Sequence, residues 1–260
     1  MFADLTLATG LFLISASFFA GFVDSIAGGG GLIQLPALLI GLPKTDTVTV
    51  LGTNKLGSVF GTTTAAALYR RQIKPDIRVL AAMALPAFVG SAAGASLASR
   101  IPTQSMRPIV LVLLIVVAIY TWFKPDLGKI ELLRHASKRR IQISIAAGLI
   151  IGFYDGIFGP GTGSFLMLIL VASLGYAFIT ASAIAKVVNV STNVGAIMIF
   201  GLNGAIIWQL GLILGAANVT GAVIGSRLAI KGGSVLVRKV FLIVTLALIL
   251  KVGIDTFASF

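Results

Sequence analysis

Apolar residues run along this chain in blocks of about twenty, the length that an α-helix needs to cross a bilayer, parted by short polar or basic stretches. Leu5 to Ile26 supplies one such span, Val48 to Tyr69 a second, polar along one side, Ile77 to Ala98 a third and Met106 to Phe123 a fourth. Beyond a hydrophilic stretch, Ile141 to Phe158, Ala177 to Phe200, Ile207 to Ala229 and Val235 to Phe257 repeat the order. Two apolar segments, Leu32 to Leu42 and Phe165 to Leu174, are too short to cross alone and read as half-helices.

Each half-helix follows a glycine cluster, where a helix is expected to break. The first cluster reads GFVDSIAGGGGLIQLPALLIGL from Gly21, the second GFYDGIFGPGTGSFLMLILVASLGY from Gly152. Gly21, Phe22, Asp24, Ile26, Gly28 and Gly30 recur as Gly152, Phe153, Asp155, Ile157, Gly159 and Gly161 at a constant offset of 131 residues. The same offset carries Lys55 onto Lys186, Gly90 onto Gly221, Gly94 onto Gly225 and Leu97 onto Leu228. The chain therefore divides into repeats at residues 1–129 and 141–260, joined by a basic loop at 130–140.

Composition places this pattern in a membrane. Hydrophobic residues make up 57% of the 260 and charged residues 11%, against about 45–50% and 25% in a soluble domain; mean hydropathy is +1.05. The net charge of +12 could serve nucleic acid, but the cations sit in short clusters between spans, as cytoplasmic loops do. Loops 70–78 and 124–140 are basic, so both are expected inside. The repeat partner of the first, Gly201 to Ile206, is uncharged, whereas the next turn holds Arg227, Lys231, Arg238 and Lys239. Corresponding loops thus face opposite sides. The expected fold is an all-α polytopic membrane protein of two inverted-topology repeats, each with a glycine-broken, re-entrant first segment and about three spanning helices, with both termini outside. Such repeats, interrupted at matching positions, mark secondary transporters with a midplane site.

The absence of cysteine excludes disulfides, thiol chemistry and cysteine-ligated metal, and His135, the one histidine, lies in the charged loop; no metal or cofactor is expected. HExxH, nucleophile and GxxxxGK[ST] patterns are missing too, so the chain does not read as an enzyme. Glycines at small-xxx-small spacing, such as Gly57 and Gly61 or Gly211 and Gly215, predict close helix packing and leave room for a homodimer.

Asp24, Lys55, Asp155 and Lys186 are charges inside spans that recur between the repeats. Each costs about 2.5–3.5 kcal/mol at the bilayer centre on insertion scales, so something must offset them. One reading pairs Asp24 with Lys55 and Asp155 with Lys186, inside each repeat. The other gives the lysines to a bound anion and leaves the carboxylates to orient them or to titrate. Lys55, Ser58 and Thr62 share one helix face, as do Lys186, Asn189 and Asn193 in the second repeat; Asn54 adjoins the first. A half-helix starting after Gly31 or Gly163 presents unpaired N–H groups and a positive dipole end. The expected anion site thus comprises Lys55, Lys186, Asn54, Ser58, Asn189, Asn193 and the backbone at Gly29, Gly30, Gly31, Gly161, Thr162 and Gly163, with Gln34 at its edge.

The GFVDSIAGGGGLIQLPALLIGL segment, LGTNKLGS at 51–58, ALYRRQIKPD after it and GFYDGIFGPGTGSF in the second repeat resemble the TauE/SafE sulfite-exporter family over essentially the whole chain. The resemblance implies transport, often outward, of small sulfur-containing oxyanions such as sulfite or organosulfonates through a bacterial plasma membrane. The rivals are a cation carrier using Asp24 and Asp155 as ligands, and a non-transporting membrane subunit docking through the 124–140 loop.

Overall fold

The structure of the protein is a computed structural model that describes residues 6–100 and 128–257. It is helical, with no strand among the described residues. The first repeat gives α1 (Leu7–Ala27), the half-helix α2 (Gly31–Gly41), α3 (Thr47–Gln72) and α4 (Ile77–Leu97), closed by a 3-10 turn at Ala98–Arg100. The second gives α5 (Ser137–Ile157), the half-helix α6 (Thr162–Leu168) with a π turn at Ile169–Ser173, α7 (Phe178–Leu202) and α8 (Trp208–Phe257). The predicted span Met106 to Phe123 lies outside the described residues.

Local chemistry sets most boundaries. The Thr6 hydroxyl accepts from Thr9 N–H at the start of α1. The Asp46 carboxylate accepts from Thr49 N–H at 2.9 Å and Asp76 from Arg78 N–H at 2.9 Å, capping α3 and α4. Gly28, at φ 80°, ends α1 by donating its N–H to the Asp24 carbonyl; the left-handed conformation suits glycine. Two boundaries differ from expectation. α5 starts at Ser137, so Lys138, Arg139 and Arg140 belong to its first turn and not to a loop; their long stems can run along the helix with their heads in water. The last two predicted spans form one helical run broken at Gly233, which takes φ 60° and ψ −162°.

Among the described residues four helices are long and apolar enough to cross a membrane: α1, α4, α5 and α7. α3 is as long, but its threonines, asparagine, lysine and arginines lower its apolar content.

The halves interlock. α1 packs mainly on α8, and α5 mainly on α4. Glycines set both contacts: a Cβ on Gly21 would lie 2.1 Å from the Asn218 carbonyl oxygen, and one on Gly152, its repeat partner, 2.4 Å from that of Ala87. Gly221 against Phe18 and Gly90 against Leu149 repeat the exchange. α3 likewise lies on α8, and α7 on α4.

Contacts also order the molecule along its length. Ile207 N–H donates to Thr53 Oγ1 at 3.0 Å, placing the 203–207 turn at the start of α3. The 73–76 turn lies at the other end of that helix, about 30 Å away at 1.5 Å per residue. At that second end Arg71 shares a cavity with Arg227 and Lys231, Ile179 N–H meets Ser234 Oγ, and Arg134 N–H meets the Leu174 carbonyl. The second end is therefore strongly basic. From the first end α1 runs inward and α2 returns beside it, Gln34 meeting Ser17 and Gly41 facing Leu13. α5 starts at the basic end, and α6 with its π turn comes back to it, where Gly175 accepts from Leu132.

Candidate functional site

The glycine breaks of the two hairpins touch. A Cβ on Gly28 would stand 2.5 Å from the Gly163 carbonyl carbon, and one on Gly163 2.4 Å from Gly28 Cα. No side chain could lie between them. This crossing carries each hairpin's aspartate past its own repeat. Lys55 Nζ of α3 lies 2.6 Å from Asp155 Oδ2 of α5, and Lys186 Nζ of α7 lies 3.2 Å from Asp24 Oδ2 of α1. The expectation of pairs within each repeat, Asp24 with Lys55 and Asp155 with Lys186, is thus wrong. An offset aligns the halves in sequence, but the hairpins reach across to the lysine helix of the other half.

The two pairs are not equivalent. Asp155 is 2% exposed, and its other oxygen accepts from Thr162 Oγ1 at 2.7 Å; Thr162 also closes on the Gly159 carbonyl. Asp24 is 14% exposed and has no hydroxyl on its carboxylate, because the repeat partner of Thr162 is Gly31. Lys186, fully buried, donates in addition to the Asp24 main-chain carbonyl. The end of α1 is tied down further. Tyr69 donates to the Ser25 carbonyl at 2.9 Å, Ser182 to that of Ile26 at 3.3 Å and Ser164 to that of Ala27 at 3.3 Å. These hydroxyls meet the carbonyls that a helix end leaves unpaired. Their repeat partners are Phe200, Leu51 and Ile33, which have none.

Between the pairs lies a cavity of about 30 Å³, room for about two water-sized groups. Asp24, Asn54, Lys55, Ser58, Thr62, Asp155, Asn189 and Asn193 line it, with the backbone at Gly28, Gly31, Gly159, Gly161, Thr162 and Gly163. Asn54 Oδ1 is buried there with no hydrogen-bond partner. Both predicted polar stripes therefore meet on one cavity, drawn from α3 and α7. Three expected positions and one lysine fall elsewhere. Gly29 and Gly30 do not line the cavity; Gly30 is packed against Ala20 and the Asp24 Cβ. Lys186 stands behind Asp24. Gln34 lies in a separate buried network, its Oε1 accepting from Ser17 Oγ at 3.3 Å and Asn218 Nδ2 at 3.0 Å.

The family's sequence model, described as sulfite exporter TauE/SafE, matches residues 13–252. The chain belongs to the TauE/SafE family. This TauE/SafE protein is 40% identical over 245 residues to a Sinorhizobium protein named probable membrane transporter protein ORF9, covering 94% of this chain and 92% of that one. It is 34% identical to a probable membrane transporter protein of Haemophilus influenzae, covering 94% of each. It is also 35% identical to probable membrane transporter protein YfcA of Escherichia coli K12, covering 94% of this chain and 89% of that one. No solved structure gives a significant match. The protein is thus a membrane protein of a transporter family.

Sequence reading missed Asn218 and the hydroxyls of Tyr69, Ser164 and Ser182. Asn218 had one signal: an amide in the middle of an apolar span, which in lipid needs a partner. The hydroxyls had none, since their targets are main-chain carbonyls.

Proposed function

We propose that the protein is a secondary transporter that exports small sulfur-containing oxyanions such as sulfite or organosulfonates, with its site at the cavity between the two halves. The observation that carries this reading is the convergence of a lysine, Ser58, Thr62 and three asparagines from two helices on one buried cavity beside two broken helices. Such a set offers donors and positive charge to an oxyanion and little to a neutral or apolar solute.

The exchange of contacts between α1 with α8 and α5 with α4, and the turns 73–76 and 203–207 at opposite ends of α3, support an inverted repeat. With the basic end inside, residues 70–78 and 128–140 face the cytoplasm and both termini lie outside the plasma membrane. Alternating access then moves one half against the other around the Gly28–Gly163 crossing.

In the paired state the four charges cancel, so an anion binds by taking a carboxylate's place. The weaker partner is Asp24, with its longer ion pair, its exposure to the cavity and its missing hydroxyl. Release of Lys186 from Asp24 presents the cation to the anion, while Asp155 stays locked by Lys55 and Thr162. Inside-negative potential favours export by about 2.3 kcal/mol per charge per 100 mV. Each aspartate already faces a lysine, which weighs against their serving as cation ligands.

The test is thermal unfolding of purified protein with sulfite, thiosulfate, sulfate, a small sulfonate or chloride. One sulfur oxyanion at a hundred times its Kd should stabilise the protein by about 2.7 kcal/mol, and Lys186→Gln should abolish the shift. A shift with divalent cations alone would overturn the reading.

A further inference from the structure

A second cavity, of about 330 Å³, lies at the basic end, between the last turns of α3 and the stretch of α8 before Gly233. Arg71, Arg227 and Lys231 surround it with Gln72, and Leu68 and Ile230 supply apolar wall. It shares no lining residue with the cavity between the ion pairs. A cation in the last turn of a helix is favourable for its dipole, which accounts for Arg71 on α3. The same holds for Lys231, two residues before the break at Gly233, but not for Arg227, a turn further in; the two lie four residues apart on one face and meet Arg71 across the cavity.

Among the described residues no ion pair joins a carboxylate to any of the three. Three like charges around one concavity repel unless an anion lies among them. The fold itself does not require them. Under the 131-residue offset Arg71, Arg227 and Lys231 correspond to Leu202, Ser96 and Arg100, so the matching place at the other end has one cation where this has three.

The surroundings narrow the choice of anion. All three cations are exposed at the end of membrane helices, the depth of phospholipid headgroups, and the guanidinium fork of arginine matches phosphate oxygens in bidentate fashion. The apolar wall suits glycerol and the first methylenes of an acyl chain, which a free oxyanion lacks. Basic pockets between spanning helices bind anionic headgroups by this chemistry.

We propose that this cavity holds the phosphate of an anionic phospholipid of the phosphatidylglycerol type, from the leaflet at the basic end. The lipid bridges α3 and α8, helices from different halves, and so loads the joint across which those halves meet.

Native mass spectrometry of the intact protein, exposed to equimolar phosphatidylglycerol and phosphatidylethanolamine, tests it. One phosphatidylglycerol should be retained in preference, and Arg71→Gln and Lys231→Gln should each weaken it by about fivefold. Lys138→Gln, a cation at the same end but outside the cavity, should leave retention unchanged. Equal retention of both lipids, or the same preference in both cavity variants, would overturn the proposal. Displacement by millimolar inorganic phosphate would make the cavity a free-phosphate site and overturn it as well. The wild-type preference needs no variant, so a misfolded variant does not protect the proposal.

Discussion

Lys55→Met is expected to destabilise the protein by about 3–5 kcal/mol, and adding Asp155→Leu to restore most of that loss. Adding Asp24→Leu instead should make it worse. The geometry that separates the two outcomes is the 2.6 Å contact of Lys55 Nζ with Asp155 Oδ2, with those residues 4% and 2% exposed. Removing one partner leaves a lone charge in a low-dielectric interior, whereas an apolar pair of similar volume leaves none. Asp24 belongs to the other pair, so its loss frees Lys186 and strands a second charge. A double-mutant cycle on unfolding in detergent measures both couplings. Strong coupling to Asp155 with near-additivity to Asp24 fits pairing between the halves; the reverse would restore pairing within each repeat.

Gly28→Ala should cost about 2–5 kcal/mol, because it combines two penalties. Its φ of 80° disfavours a Cβ by about 1–2 kcal/mol, and the Cβ would meet the Gly163 backbone at 2.5 Å, overpacking worth about 1–3 kcal/mol. Two other glycines separate the terms. Gly163→Ala carries only the clash, 2.4 Å from Gly28 Cα, since its φ is ordinary; Gly204→Ala carries only the strain, with φ 67° and nothing within 4 Å. Thermal unfolding of the three should therefore rank Gly28→Ala as most damaging. If Gly204→Ala equalled it, close approach at the crossing would contribute nothing.

Much of this architecture was legible before any coordinates. The starts of α2, α3 and α4 fall within about a residue of the predicted places because glycine breaks and aspartate caps act locally. The offset of 131 residues led to Lys55, Asp155, Ser58, Asn189 and Asn193, since a charge in an apolar span and its recurrence are both visible in the letters. What the letters hid was three-dimensional. The exchange of partners depends on the hairpins crossing, which no periodicity encodes. Gln34 looked like a site residue because it follows the glycines, but the helical turn carries it toward Ser17 and Asn218. Lys186 is one layer further back than Lys55 because it also serves the Asp24 carbonyl. The first turn of α5 was read as loop because its cations mask the helix that Ser137 begins.

On the proposed reading, the asymmetry between the pairs gives the two halves different work. Asp155 is held by two partners of its carboxylate and fits a fixed element; Asp24 faces the cavity with one. The hydroxyls of Tyr69, Ser164 and Ser182 secure the end of α1, so a change at Asp24 is confined to its carboxylate and need not unravel the helix behind it.

On the proposed reading the Asp24–Lys186 pair is where the anion binds and not merely what holds the halves together. The compensated variant Lys186→Met/Asp24→Leu separates these roles, because it leaves no lone buried charge and is expected to fold. The decisive measurement is sulfite efflux from vesicles holding an inside-negative potential, with wild-type protein and with this variant. Efflux is expected through the wild type, with a fall of at least about tenfold in the folded variant, the worth of one charge-assisted hydrogen bond. Wild-type efflux through the folded variant would make the Asp24–Lys186 pair structural and contradict the proposed anion site.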